Sequence, residues 1–227
     1  MPNCCNWRAG HEPRCDGCVG LLALAGGSAA AADLPPYYQP GPAYNPIYTW
    51  TGFYLGINGG GGWGCSQWDG IDTFDVSGGL IGGTIGYNWQ FAGAVIGAEG
   101  DIDWSGIKGT TTVLCAPGCE TRNKWLATAR GRVGYAFDRF LPYFTGGLAL
   151  GDINATRPGF PGGSITNAGW TVGAGLEVGL VSNVSLKAEY LYVDLGTFNC
   201  ELNCALAPGG NVSFTTSIFR AGANVRF

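Results

Sequence analysis

The chain has 227 residues with a net charge of −4; 41 residues are glycine, 13% are aromatic and only 12% are charged. That length is enough for one domain of ordinary size, with far more glycine than the usual roughly 7% and about half the usual charged fraction. The acidic balance argues against a nucleic-acid partner, and no run of eighteen apolar residues exists to make a membrane helix. Gly-rich, aromatic-rich, charge-poor sequence of this kind fits a membrane β-barrel, with small residues in a crowded lumen and rings at the two lipid–water interfaces. A soluble all-β barrel is the rival until the strand faces are read.

At the start, Val19 to Ala25 is a short apolar core, and Ser28 to Ala32 supplies small residues suited to signal-peptidase cleavage after Ala31 or Ala32. Residues 1–32 are therefore expected to be a secretory signal. Its first part is unusual, with Glu12, Asp16 and Pro13 beside Arg8 and Arg14. Cys4, Cys5, His11, Cys15 and Cys18 are zinc-ligand types, but a second well-separated ligand pair is missing. A start codon assigned upstream of an ordinary signal accounts for them better. Residues 33–49 contain Pro35, Pro36, Pro40, Pro42 and Pro46 with four tyrosines. Proline blocks ladder hydrogen bonds and favours extended chain, so this stretch reads as a periplasmic tether.

From Trp50 to Phe227 strand-like runs alternate with turns. In Gly52 to Gly64, Phe53, Leu55 and Ile57 share one face; in Gly78 to Gln90, Ile81, Ile85, Tyr87 and Trp89 do. Ala94 to Trp104 sets Ile96, Ala98, Ile102 and Trp104 against Glu99, Asp101 and Asp103. Lys124 to Phe137 sets Trp125, Val133, Tyr135 and Phe137 against Lys124, Thr128, Arg130 and Arg132. Leu141 to Asp152 is a fifth strand of ambiguous parity. Trp170 to Leu180 and Val184 to Leu195 turn Glu177, Lys187 and Glu189 away from Trp170, Leu176, Leu186 and Tyr190. The last strand, Ser213 to Phe227, alternates Phe219, Ala221, Ala223, Val225 and Phe227 with Ile218, Arg220, Asn224 and Arg226. Runs of about ten residues match tilted membrane-crossing strands. The expected fold is an all-β, eight-stranded, antiparallel, up-and-down transmembrane barrel over 50–227.

Short connections at Gln90 to Gly93, Asp138 to Phe140 and Ser182-Asn183 alternate with long ones at Cys65 to Ser77, Ser105 to Asn123, Ile153 to Gly169 and Gly196 to Val212. Short turns on one side and long loops on the other is the membrane-barrel arrangement, and an even strand number puts both termini on the short-turn side.

The polar faces converge on one set of charges: Glu99, Asp101, Asp103, Arg130, Arg132, Glu177, Lys187, Glu189 and Arg220. An eight-stranded lumen is only wide enough for side chains, so charges there must pair. The expected result is a plug of salt bridges; the alternatives are a narrow passive pore lined by those charges, or a surface adhesin working through the long loops. Arg130 and Arg132 opposite Glu99, Asp101 and Asp103 argue against a divalent-metal site, and no cofactor is expected. Among the cysteines beyond the leader, Cys115/Cys119 and Cys200/Cys204 share C-x-x-x-C spacing and are candidate disulfide partners in an oxidising envelope, with connectivity open and Cys65 left over.

Gly59 to Gly64 fits G-x-G-x-x-G formally, but no helix pattern follows it. The only histidine is His11, in the leader, so a mature chain has no Ser-His or Cys-His pair and an enzyme is not expected. A soluble ligand-carrying barrel needs an apolar lumen and a polar wall, the reverse of these strands.

Trp50-Thr-Gly-Phe-Tyr-Leu-Gly-Ile-Asn-Gly-Gly, following Ala-Ala-Asp-Leu-Pro, resembles the outer-membrane immunogenic, porin-family small barrels of alphaproteobacteria. Arg130-Gly-Arg-Val-Gly-Tyr, Tyr143-Phe-Thr-Gly-Gly-Leu-Ala, Lys187-Ala-Glu-Tyr-Leu-Tyr-Val-Asp-Leu-Gly and the ending Arg220 to Phe227 carry the same resemblance, over roughly Ala31 to Phe227. It implies an eight-stranded barrel in the outer membrane, in contact with lipid and lipopolysaccharide. It also implies delivery by the barrel-assembly machinery, with Phe219, Val225 and Phe227 as the assembly signal. The role it implies is structural: envelope integrity and surface exposure.

Overall fold

The computed structural model describes residues 48–68, 72–112, 118–156, 159, 163–199 and 211–227. The proposed leader, the tether as far as residue 47, and the candidate zinc ligands with His11 lie outside the described residues. Nine antiparallel strands are described: β1 (Gly52–Trp68), β2 (Asp72–Phe91), β3 (Ala94–Ser105), β4 (Lys108–Thr111), β5 (Cys119–Tyr135), β6 (Phe140–Thr156), β7 (Gly163–Val181), β8 (Val184–Asn199) and β9 (Asn211–Arg226). β1 pairs with both β2 and β9, so the sheet closes on itself and leaves no edge.

The ring has eight staves, because β3 and β4 are one stave broken at Gly106 and Ile107. Beyond the break, Lys108 pairs with Ser77 on one side and Arg122 on the other. The three short connections are at Ala92-Gly93, Asp138-Arg139 and Ser182-Asn183. Ala92 and Asp138 sit at φ 54° and 55°, the left-handed conformation that tight two-residue hairpins require. Both chain ends of the barrel lie at this end: the Phe227 amide donates to Phe53 O at 2.8 Å and the Trp50 indole donates to Asp138 O at 3.0 Å.

The connections on the other side are shorter than the sequence suggests. β1 and β2 pair as far as Trp68↔Asp72, and β6 and β7 as far as Ala155↔Gly163, so much of what read as loop is strand. The reason lies in which way the side chains point. From Phe53 up to Trp63 on β1, apolar groups face out. The ten steps between them, at about 3.3 Å each and a tilt near 40°, span about 25 Å, the height of a lipid-facing band. One rim of the band carries Phe53 against Phe227, Tyr87 against Trp89 and Tyr135 against Phe137; the other carries Trp63, Trp104, Trp125 and Trp170, the last packed on Tyr192.

Beyond the tryptophan rim the pattern inverts. Gln67, Asp75, Ser77, Lys108, Arg122, Lys124, Thr156 and Ser164 face out, while Trp68, Phe74, Val76, Ile107, Ile153, Val193, Leu195, Val212 and Phe214 pack inside. The strands continue past the bilayer as an ordinary water-facing barrel with an apolar core. A register shift in β5 between Asn123 and Leu126 sits at this boundary. Asn123 faces the lumen and Lys124 is exposed, so Lys124 is not on the face of Thr128 and Arg130 as strict alternation predicts. A bulge inserts one extra residue and moves every later side chain to the other face. In β6, the strand of ambiguous parity, Leu141, Tyr143, Thr145 and Ala149 point inward, and Phe144, Leu148 and Leu150 outward.

The charged lumen as candidate functional site

The inner end of the lumen is closed by residues just ahead of β1. Tyr48 and Trp50 are buried and cluster with Val95, Leu141 and Tyr143. The Trp50 amide donates to Gln90 Oε1 at 2.8 Å. Arg226 donates to Thr49 O at 2.6 Å and lies 5.1 and 4.8 Å from the rings of Tyr48 and Trp50, within cation–π range. Gly179 makes room for this: a Cβ there would fall 2.4 Å from the Tyr48 ring. Tyr48 and Thr49, which the sequence places at the end of the tether, thus belong to the barrel mouth.

Above that lies a buried ionic layer. Glu99, Asp101 and Asp103 on β3, Arg130 and Arg132 on β5, Glu177 on β7, Lys187 and Glu189 on β8, and Arg220 and Arg226 on β9 are all buried. Five are acids and five are bases, so the layer is neutral. Period-two alternation delivers each from its own strand, and closure of the ring brings the strands within reach across the lumen. Arg130 donates to Glu99 at 2.5 Å, Asp101 at 2.9 Å, Glu189 at 2.9 Å and, through Nε, Thr128 at 2.9 Å. Arg220 holds Glu189 Oε2 with two nitrogens at 2.9 and 2.8 Å, Asp103 at 2.8 Å, and Asp101. Arg132 donates to Glu177 at 2.8 Å and stacks 3.9 Å over the Tyr143 ring. Lys187 reaches Glu99 at 3.2 Å. Glu177 also accepts from Ser185 at 2.5 Å and Asn224 at 3.0 Å.

Two tyrosines complete the layer. Tyr54 donates to Glu99 at 2.7 Å and accepts from Arg132 at 3.1 Å, and Tyr143 donates to Glu189 at 3.1 Å. Gly86 gives Tyr54 its space, since a Cβ there would fall 2.4 Å from the phenol oxygen. On the outer side the apolar cluster begins at once with Leu80, Leu126, Leu191 and Ile218. Within it, Ser66 and the Trp68 indole meet Thr121, each at 3.0 Å. Along the lumen an aromatic, an ionic and an apolar layer thus follow one another.

Charged interior, lipid-facing band and short inner turns are features of a protein that spans a membrane with strands. The sequence relationship decides which kind. The family model described as the outer membrane protein beta-barrel domain matches residues 19–227. The chain belongs to the outer-membrane β-barrel family. Its relatives include the 31 kDa outer-membrane immunogenic protein of Brucella melitensis biotype 1, 39% identical over 206 residues, covering 79% of this chain and 86% of the relative. The 22 kDa outer membrane protein of Rhizobium leguminosarum bv. viciae is 35% identical over 216 residues, covering 91% and 95%. Among solved structures, Neisserial surface protein A is 19% identical with a TM-score of 0.47, covering 78% of this chain and 98% of that one. This outer-membrane barrel thus has the outer membrane as its location and surface-antigen proteins among its relatives.

In the barrel, all nine charges marked from sequence face the lumen, and the structure joins them through ion pairs. Arg226 was readable from its parity in the last strand but not grouped with them; its place in the mouth depends on Tyr48 and Trp50. Tyr54 carried no sequence signal beyond its place on the face opposite Phe53, Leu55 and Ile57, and Tyr143 lay in the strand of ambiguous parity. Phe219 and Val225 on β9, and Phe227 just past its end, are exposed on the outer wall. Cys119 is disulfide-bonded, and so is Cys65, which the sequence left over. Cys115, Cys200 and Cys204 lie outside the described residues.

Proposed function

We propose that this protein is a closed structural element of the outer membrane, which supports envelope integrity and presents its outer end at the cell surface, and whose lumen is a plug rather than a path. What carries this reading is the neutral ionic layer, in which five acids and five bases are buried together and sealed on either side by apolar layers. Mobile ions need an open, hydrated path; here nine of the ten charges are held by side-chain partners within 3.2 Å, and Arg226 by the Thr49 carbonyl and the rings of Tyr48 and Trp50. The reading assigns no chemical step to the chain.

The test is planar-bilayer recording of the folded full-length protein. We expect no discrete conductance steps from the wild type. A variant lacking both Glu189 and Arg220 side chains (Glu189→Ala/Arg220→Ala) keeps net neutrality but opens the centre, and is expected to flicker between closed and conducting levels. Reproducible unitary conductance from the wild type would overturn the plug in favour of a narrow pore.

A further inference from the structure

We propose that the outer wall over β1 to β5 and β9 is a binding site for one phosphorylated glycolipid of the outer leaflet. Its phosphates would be held by Lys108, Arg122 and Lys124, and its acyl chains would lie in the groove below. Among the described residues, these three are the exposed lysines and arginines of the outer half: Arg130, Arg132, Lys187, Arg220 and Arg226 are buried in the lumen and Arg139 is at an inner turn.

Lys108 and Arg122 are direct cross-strand partners on the outward face, and Lys124 follows two residues along the same face. Like charges directly opposite destabilise a sheet unless an anion lies between them. The acids near them do not neutralise the patch. Glu120 meets Arg122 at 3.5 Å with the two side chains 40% and 48% exposed, a solvent-screened geometry worth little, and Glu120 and Asp75 lie on the side away from the membrane. On the membrane side the next pair is Trp104↔Trp125, part of the aromatic rim. The cations therefore sit at headgroup height.

The wall beneath them is hollow. A groove of about 520 Å³ is lined by Ile57, Gly59, Ile81, Trp104, Ala221 and Ala223. A second hollow continues past Gly79 and Trp104 to Gly106, two residues before Lys108. Crowding does not explain the glycines of this wall. A Cβ on Gly61, Gly79 or Gly83 would meet only a backbone oxygen, at 3.7–3.8 Å. Larger side chains would fit, and their absence leaves a channel running from the cations into the bilayer. A phosphorylated headgroup with several chains matches both parts at once.

The test uses the folded full-length protein in mild detergent, with bisphosphorylated lipid A, dephosphorylated lipid A and phosphatidylglycerol as probes, and native mass spectrometry to count bound lipid. We expect one bisphosphorylated lipid A per barrel, not displaced by equal phosphatidylglycerol. Lys108→Ser/Arg122→Ser/Lys124→Ser should weaken it about tenfold or more, since each cation near an anionic lipid surface adds to the attraction. Gly59→Leu, where a Cβ meets Leu80 O at an ordinary 3.5 Å, should weaken it without touching the cations. The heat-dependent gel shift checks that each variant is folded. Equal binding of dephosphorylated lipid A or phosphatidylglycerol by the wild type, or wild-type affinity in the folded variants, overturns the site. The wild-type comparison needs no variant, and neither result depends on whether the lumen conducts.

Discussion

Arg130 is the most connected cation of the lumen, and Arg130→Met puts the ionic layer to a quantitative test. The substitution keeps most of the side-chain volume and leaves five carboxylates facing four cations. Three of them, Glu99, Asp101 and Glu189, each lose a charged hydrogen bond of 2.5–2.9 Å. Removing one partner from a buried ion pair costs about 3–5 kcal/mol, because the charge left behind has no water to return to. Here Asp101 and Glu189 keep Arg220, and Glu99 keeps Lys187, so the low end, about 3 kcal/mol, is expected. Arg132→Met should cost more per carboxylate lost, since Glu177 would retain only Arg226 at 4.0 Å among cations. The assay is reversible urea unfolding in lipid vesicles, followed by tryptophan fluorescence and the heat-dependent gel shift. Arg130→Met/Glu99→Gln restores neutrality and should recover about 1–2 kcal/mol of the single-variant loss, a coupling typical of residues in direct contact. A loss below about 1 kcal/mol with additive double variants would mean that water solvates the lumen charges, and the plug argument would fail.

The inversion at the tryptophan rim predicts a position-dependent cost for one change. Leu148→Arg, in the lipid-facing band, should destabilise the barrel by about 2–4 kcal/mol, whereas Gln67→Arg, beyond the rim and opposite the uncharged Thr73 and Ser213, should change stability by less than about 0.5 kcal/mol in the same unfolding assay. Gly179→Leu should expel Tyr48 and cost about 1–3 kcal/mol, and faster protease cleavage ahead of Trp50 would report the opened mouth. Deleting Phe227, which is 75% exposed, should lower the folded yield in cells while unfolding in vitro shifts by under about 1.5 kcal/mol; an unchanged yield would remove the assembly role from this end.

The alternation of each strand is a local property, because successive side chains must leave a strand on opposite sides whatever it pairs with. Ile96, Ile102 and Trp104 against Glu99, Asp101 and Asp103 could therefore be assigned from sequence, as could the two faces of the last strand. The short hairpins were legible for the same reason: their residues lie side by side in the chain.

Who meets whom across the lumen was not. Arg220 and Asp101 are 119 positions apart, and Arg130 and Glu189 are 59 apart. Their contact depends on ring closure and on the register of every stave between them, which no local pattern encodes. The β5 bulge that turns Lys124 outward, the break at Gly106 and Ile107, and the apolar core of the outer end were equally hidden. A bulge is one residue's departure from a period, and apolar-in strands beyond the bilayer look like loops while the lipid-facing rule is assumed throughout. The alternating chain thus decided that there would be a barrel with charges inside; only its closure decided that those charges would neutralise one another, because pairing is a property of the ring and not of any one strand.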